Sequence, residues 1–301
     1  MMKWEIRFLV AMSLFSTFDF GLNAQSNIKI VSKRIDKSFP YQEAYSLNID
    51  GEKAEVSIET WDKPIVQIQM EITAKNLDRE LATKDLEKMK YMIQRVKNNL
   101  YVRNYLMDEG EHPTSILKVV YLIKVPVECP VYLKNNYGIA SLKNLNSQIK
   151  INSRFSKIGL ENIHGNMIIE SVFGDLLGTE LWGNLSLNAR RSDMFFQKLY
   201  GNVDINAEYG LIKLLLDDKL KSLHLNANNS EVFILGDNPF QIGMDIQVKN
   251  GQLDFPLHPK YKVKEQKEIG LRTLFIPSPK DQMTPITIRI NLGDLLFIKK
   301  N

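Results

Sequence analysis

Asp175 and Asp193 stand 18 residues apart and are the pair of side chains best placed to do chemistry. Written in units of 18, the chain gives a column of Ile139, Lys157, Asp175, Asp193 and Leu211. If each unit is one layer of a stack, the two carboxyl groups lie roughly 5 Å apart, within the range used by retaining glycosidases. Calcium could bind the same pair. The competing reading is a solvated turn, because Lys157 comes next in the column and such positions face water. Arg154, Arg190 and Arg191 could contact an anion near that corner, or could serve only as exposed charge for solubility.

A second column, Asn146, His164, Trp182 and Tyr200, holds the best candidates for binding. Rings stacked on an outer corner could face sugars or another protein, since Trp and Tyr are common anchors. Alternatively they pack on one another and shield the corner. Tyr137, Phe155, Phe173 and Tyr209 form another aromatic column, which reads as structural because it recurs in nearly every unit. His224 stands in a mixed outward column with no second ligand and reads as a surface residue. Cys129, between Glu128 and Pro130, reads as inert. One cysteine excludes an intramolecular disulfide framework and any zinc site built on several thiolates. No two of the four histidines have H-x₃-H spacing. Nucleophile-elbow, Walker and dinucleotide motifs are absent too. No catalytic residue, metal or cofactor is expected.

What must position these side chains is a repeat. Gly138, Ser156, Gly174, Ser192 and Gly210 follow one another at steps of 18, each preceded by an aromatic residue or Arg191. The series continues at Ser230 and Gly251 after steps of 20 and 21. A second glycine falls midway through the units, at Gly165, Gly183 and Gly201. Apolar columns fall in phase with both series: Ala140, Ile158, Leu176, Met194, Ile212; Ile149, Met167, Leu185, Val203, Leu223; and Ile151, Ile169, Leu187, Ile205, Leu225. The last two flank a mixed column, which is the alternation of a strand. These features predict an all-β fold, a right-handed parallel β-helix or solenoid of about 18-residue coils stacked ~4.8 Å apart. Column 153, 171, 189, 207, 227 is Ser or Ala throughout. Before it stand Asn152, Glu170, Asn188, Asn206 and Asn226, whose amides read as a structural ladder along the stack. Asn166, Asn184 and Asn202 read as turn residues.

The domain organisation follows from composition. Residues 1–24 read as a secretory signal peptide: Lys3 and Arg7 precede an apolar stretch from Phe8 to Phe18, and cleavage is expected between Ala24 and Gln25. About 11 apolar residues are too few to cross ~30 Å of hydrocarbon, and no later segment comes closer, so no transmembrane segment is expected in the mature chain. Residues 25–133 read as a strand-rich capping region, with strands at 45–50, 54–60, 65–73, 99–106 and 115–125. A helix is expected over about 79–97, capped by Asp78, with Ala82, Leu86, Met89, Ile93 and Val96 on one face. The repeats occupy 134–252. Residues 253–301 read as a C-terminal capping region, in which a Pro- and Lys-rich loop near 256–270 is followed by strands near 271–276 and 285–298.

The net charge is +4, from 39 basic and 35 acidic side chains. That balance, without any basic run, argues against nucleic acid. With 44% hydrophobic and 25% charged residues, the chain has the composition of a folded protein.

The run Tyr121-Leu-Ile-Lys-Val-Pro126, the run Val131-Tyr-Leu-Lys-Asn-Asn-Tyr137-Gly138 and the units ending in Leu-x-Leu-Asn resemble the bacterial putative-adhesin family. The resemblance covers about 28–298 and implies an exported β-solenoid with no catalytic residues to carry over. The expectation is a non-enzymatic exported envelope protein, periplasmic, cell-surface or secreted, acting as an adhesin-like scaffold. Its partner would be an envelope protein or a glycan, with His164, Trp182 and Tyr200 as candidate contacts. The alternative is a carbohydrate-active β-helix enzyme using Asp175 and Asp193.

Overall fold

The computed structural model describes residues 27–107, 110, 112–217, 219–237, 240, 242–278 and 286–299. The expected signal peptide, with Ala24 and Gln25, lies outside the described residues.

The first part of the chain holds strands β1 (Lys29–Pro40), β2 (Ser46–Glu52), β3 (Ala54–Trp61) and β4 (Ile65–Asn76). Helix α1 (Arg79–Lys88) follows, then β5 (Met89–Val96), β6 (Asn99–Leu106) and β7 (Ile116–Pro126). Asp78 caps α1 by accepting from the Glu80 and Leu81 amides at 2.7 and 3.4 Å. The helix is shorter than the 79–97 predicted. Met89, Tyr91 and Ile93 also satisfy a period of two. Lys97, in the left-handed region at φ 53°, turns the chain so that Met89–Val96 pairs antiparallel with Asn99–Leu106. Tertiary pairing thus overrides a helical stripe that a strand satisfies equally well.

The repeats begin with β8 (Val131–Asn136), β9 (Ile139–Lys143) and β10 (Ile149–Arg154). Next comes β11 (Lys157–Glu208), which stays in the sheet for 52 residues because its corners are single residues. Then come β12 (Leu211–Leu215), β13 (Leu220–Asn228) and β14 (Glu231–Gly236). The chain closes with β15 (Met244–Lys249), β16 (Leu253–Asp254), β17 (Lys264–Gln266), β18 (Leu271–Ile276), β19 (Ile286–Asn291) and β20 (Leu295–Lys299).

Adjacent repeat units pair parallel at an offset of 18: Ile149 with Met167, Ile151 with Ile169, Lys157 with Ile139, Met194 with Ile212. Six of these residues point inward and are buried, whereas Lys157 and Ile139 point outward and are exposed. At the main corner the aromatic residue takes the left-handed conformation, with φ 57° at Tyr137, 52° at Phe155, 57° at Phe173 and 56° at Tyr209. That geometry is costly for a bulky residue, on the order of 1–3 kcal/mol. Ring stacking offsets part of it: Tyr137 and Phe155 are 5.0 Å apart at 1°, Phe155 and Phe173 4.8 Å apart at 3°. The next residue alternates between glycine and serine for a steric reason. A Cβ on Gly174 would strike the Ser156 carbonyl oxygen of the preceding unit. The serine one unit later turns its hydroxyl back toward the glycine backbone, so that the Gly174 amide donates to Ser192 Oγ at 3.3 Å and the Gly138 amide to Ser156 Oγ at 3.0 Å.

The fold class departs from the predicted parallel right-handed β-helix. The fold is all-β, with 71% of the described residues in strands, but the 20 strands among the described residues form one mixed, nearly closed, barrel-like sheet. Antiparallel pairs β1–β4, β4–β7 and β5–β6 build one end, and β15–β18 and β17–β18 the other. Sequence order is broken at both ends as well. Strands β2 and β3 insert between β6–β7 and β8–β9, and β19 and β20 insert between β13–β14 and β15–β16. An 18-residue period reports only pairs between like segments. Hairpins and inserted strands join unlike segments, so the period is blind to them.

Candidate functional site

Each unit crosses one face with an outward residue, a small inward residue and a second outward residue. The inward column is Ser171, Ala189, Ala207 and Ala227, each at most 7% exposed. The outward residues rise on either side, and between them runs a trough of about 860 Å³. One wall is Glu170, Asn188, Asn206 and Asn226, continued by Arg289. The other includes Arg190, Glu208, Asn228 and Asn291. Six stacked strand segments, the last carrying Gln247 and Lys249, give the trough a length of roughly 24 Å at ~4.8 Å spacing. Strands β13 and β19 extend it because Asn226 pairs with Arg289 and Asn228 with Asn291.

Hydrogen bonds along the stack hold both walls. Asn226 Nδ2 donates to Asn206 Oδ1 at 3.0 Å, and Asn206 Nδ2 to Asn188 Oδ1 at 3.3 Å and Asp204 Oδ1 at 3.0 Å. Asn291 Nδ2 donates to Asn228 Oδ1 at 3.0 Å. Asn152 Nδ2 donates to Glu170 Oε2 at 3.0 Å, so Glu170 occupies the step between Asn152 and Asn188. The charged wall residues are also matched: Arg190 Nε lies 3.3 Å from Glu208, and Arg289 Nη2 donates to Asp245 at 2.6 Å. A primary amide offers two donors and two acceptor lone pairs. Among the described residues, the Asn188 amide protons and the Asn226 carbonyl oxygen have no partner and border the trough.

The aromatic candidates lie on another corner. His164 and Trp182 stack at 5.6 Å and 4°, and Trp182 and Tyr200 meet at 3.9 Å and 36°. The Lys219 ammonium covers the end of the column, 5.3 Å from the Tyr200 ring and 5.8 Å from Trp182. Tyr200 is only 9% exposed. In-register stacking turns the ring faces toward one another, while His164 and Trp182 remain half-buried at the corner.

The two carboxylates are engaged. Asp175 pairs with Lys157 at 2.9 Å, and Asp193 accepts from the Leu211 amide at 2.9 Å. The hydrogen bond with Asp175 holds the Lys157 ammonium above its ordinary pKa. They border a smaller hollow of about 560 Å³ beside Phe155, Phe173 and Tyr209. Arg191 lies 5.2 Å from the Phe173 ring and 5.7 Å from Tyr209, filling the aromatic column where its unit has no ring. His224 is exposed. Cys129 is fully buried, and burial pushes its thiol up to about 12, which leaves it protonated. No group of three His, Cys, Asp or Glu that could hold a metal occurs among the described residues.

Two features escaped sequence reasoning. The asparagines of the ladder line the trough of about 860 Å³, which residue types alone do not reveal. Asn166, Asn184 and Asn202 form a second ladder rather than serving only their turns. Asn184 donates to Asn166 at 2.8 Å, Asn202 to Asn184 at 2.9 Å, and Ser222 to Asn202 at 2.9 Å. Recurrence of Asn at steps of 18 was the available signal.

No family model and no curated protein matches the chain. Solved structures do. A putative adhesin from Bacteroides fragilis NCTC 9343 is 13% identical over 88% of this chain and 97% of its own, with a TM-score of 0.45. A putative lipid binding protein from Parabacteroides distasonis ATCC 8503 is 10% identical over 88% and 96%, with a TM-score of 0.37. A putative cell adhesion protein from Clostridium sporogenes ATCC 15579 is 12% identical over 90% and 100%, with a TM-score of 0.27.

Proposed function

We propose that this chain is a non-enzymatic interaction protein of the cell envelope, exported and adhesin-like, and that its trough is the contact surface. The observation that carries this reading is the trough itself: a long groove of about 860 Å³ with an apolar floor between polar walls whose amides are hydrogen-bonded from unit to unit. Such a surface suits recognition, because its donors and acceptors are fixed before a partner arrives. The features considered for catalysis favour the same reading. Asp175 is paired with Lys157 and Asp193 accepts from a backbone amide, so each carboxylate already has a partner beside the hollow they border. Export is supported by the leader-like sequence before residue 27. Among the described residues, no helix is long and apolar enough to cross a membrane.

The test is retention of purified envelope fractions on the immobilised protein. Asn188→Leu with Asn226→Leu should lower retention about tenfold, as expected when neutral hydrogen bonds at a contact are lost. Trp182→Ala should leave retention unchanged if the protein stays folded by circular dichroism. Equal retention by the trough variant would remove the trough from the interaction. Turnover of a polysaccharide that disappears with Asp175→Asn would replace the reading with an enzymatic one.

A further inference from the structure

We infer that the trough takes an extended, neutral, polyhydroxylated chain, that is, an oligosaccharide without acidic sugars; this rests on the trough being the contact surface. Charge is the first argument. Of the charged side chains that line the trough, three are cationic and two anionic, and Asp245 beside Arg289 completes the balance. Arg190 is held by Glu208, so an acidic polymer would have to break that pair to reach the guanidinium, and the Glu170 carboxylate on the same trough would repel it. Lys249, at the far end, is the lining charge left over.

Donor chemistry is the second argument. What the walls offer is amide N–H and C=O, with the Asn188 protons and the Asn226 carbonyl uncommitted among the described residues. Hydroxyl groups donate and accept at once and pair with both ends of an amide. The backbone of β11 and β13 beneath the trough is already paired on both sides, so a peptide could not add itself as a strand there. Period is the third argument. Equivalent wall residues recur every ~4.8 Å, whereas same-face side chains of an extended peptide recur at about 6.7 Å and fall out of step. A sugar in an extended chain advances by about one layer, so successive residues can meet successive asparagines.

The experiment is calorimetric and NMR titration of the full protein with cellohexaose, laminarihexaose and maltohexaose, and with a hexamer of galacturonic acid. Binding of at least one neutral chain is expected, about tenfold weaker for Asn188→Leu with Asn226→Leu, and undiminished for Trp182→Ala. The acidic hexamer should bind more weakly than the neutral one. Asn206→Gln, which keeps an amide, should retain more binding than Asn206→Leu, and thermal melting checks that each variant is folded. No neutral hexamer binding, while envelope retention still depends on the trough, overturns the glycan inference and leaves the contact surface standing. Glycan binding that depends on Trp182 instead overturns the location, and equal binding of the acidic chain overturns the neutral selectivity.

Discussion

A methyl group on Gly178 would collide with the Phe196 ring one unit along, and that ring is fully buried. The neighbours in the column, Leu160 and Leu214, are buried leucines of ordinary size. The glycine and the phenylalanine therefore share one volume, large against absent, as close packing requires. Phe196→Ala is expected to destabilise the protein by about 3–5 kcal/mol, read as a lower midpoint in chemical denaturation. Adding Gly178→Leu should recover part of that loss, because the methyl clash is then gone and leucine fits above and below. If the double variant is no more stable than Phe196→Ala, the shared-volume account is wrong. Columns of like residues, such as Ile151, Ile169, Leu187, Ile205 and Leu225, were legible because each unit repeats the same choice. Compensating pairs such as Gly178 and Phe196 were not, because complementarity between units breaks the repeat that an alignment detects. Trp182 and Tyr200 show the converse. Their recurrence was plain, but whether a stacked ring presents its face depends on register, and here the faces meet one another along the stack.

Helix α1 is an element fastened by one buried carboxylate. Asp85 accepts from the Ser115 amide at 2.9 Å and lies 3.2 Å from the Lys88 ammonium, with its side chain only 5% exposed. Burial alone would push its pKa up; the hydrogen bonds from Ser115 and Lys88 and the Lys88 charge outweigh it and hold the carboxyl down to about 2 from 3.8. A lowered folded-state pKa contributes stability that is fully present above the unfolded value and is lost as pH falls through the folded one. The contribution of Asp85 is about 2 kcal/mol near neutrality and disappears between about pH 4 and pH 2. Asp85→Asn should therefore be less stable than the parent at pH 7, with the gap closing across that window in denaturation curves. A constant gap would assign the loss to packing. The helix start at Asp78 was legible from its cap, and its stop was not. Nothing in Met89–Val96 forbids a helix, and only pairing with β6, a partner outside any local window, decides for a strand. Likewise the ladder of Asn188, Asn206 and Asn226 was readable as a row. The concavity that makes it a wall depends on how two outward rows diverge over Ala189 and Ala207, which side-chain identity does not encode.

At the scale of the whole molecule, the two ends are interleaved rather than stacked in order. Repeat arrays are ordinarily held by nearest neighbours along the sequence and can lose a terminal unit without harm to the rest. Here the chain leaves an empty layer after β14, builds β15 and β16 beyond it, turns back through β18 and fills the layer with β19 and β20. Ile286, Ile288, Ile290 and Leu295 are buried in that layer, between partners on both sides. The C-terminal strands are thus an internal element, although they are last in sequence. Strand β1 is the counterexample at the other end: it pairs with β4 alone and leaves most of its side chains exposed. Deleting 286–299 should therefore cost far more than deleting 27–40. Loss of the inner layer exposes the edges of β13, β14, β15 and β16 together, and unpaired edges are aggregation sites. The expected outcome is a β1-deleted protein that melts cooperatively at a reduced temperature, and a 286–299-deleted protein that aggregates or binds hydrophobic dye without a cooperative transition. Similar melting of the two would mean that the inserted layer contributes no more than an edge strand. A closed layer also keeps the trough intact, since Arg289 and Asn291 form its walls beside Asn226 and Asn228. The last strands of the chain therefore join fold and contact surface, and any truncation that removes them should abolish both at once.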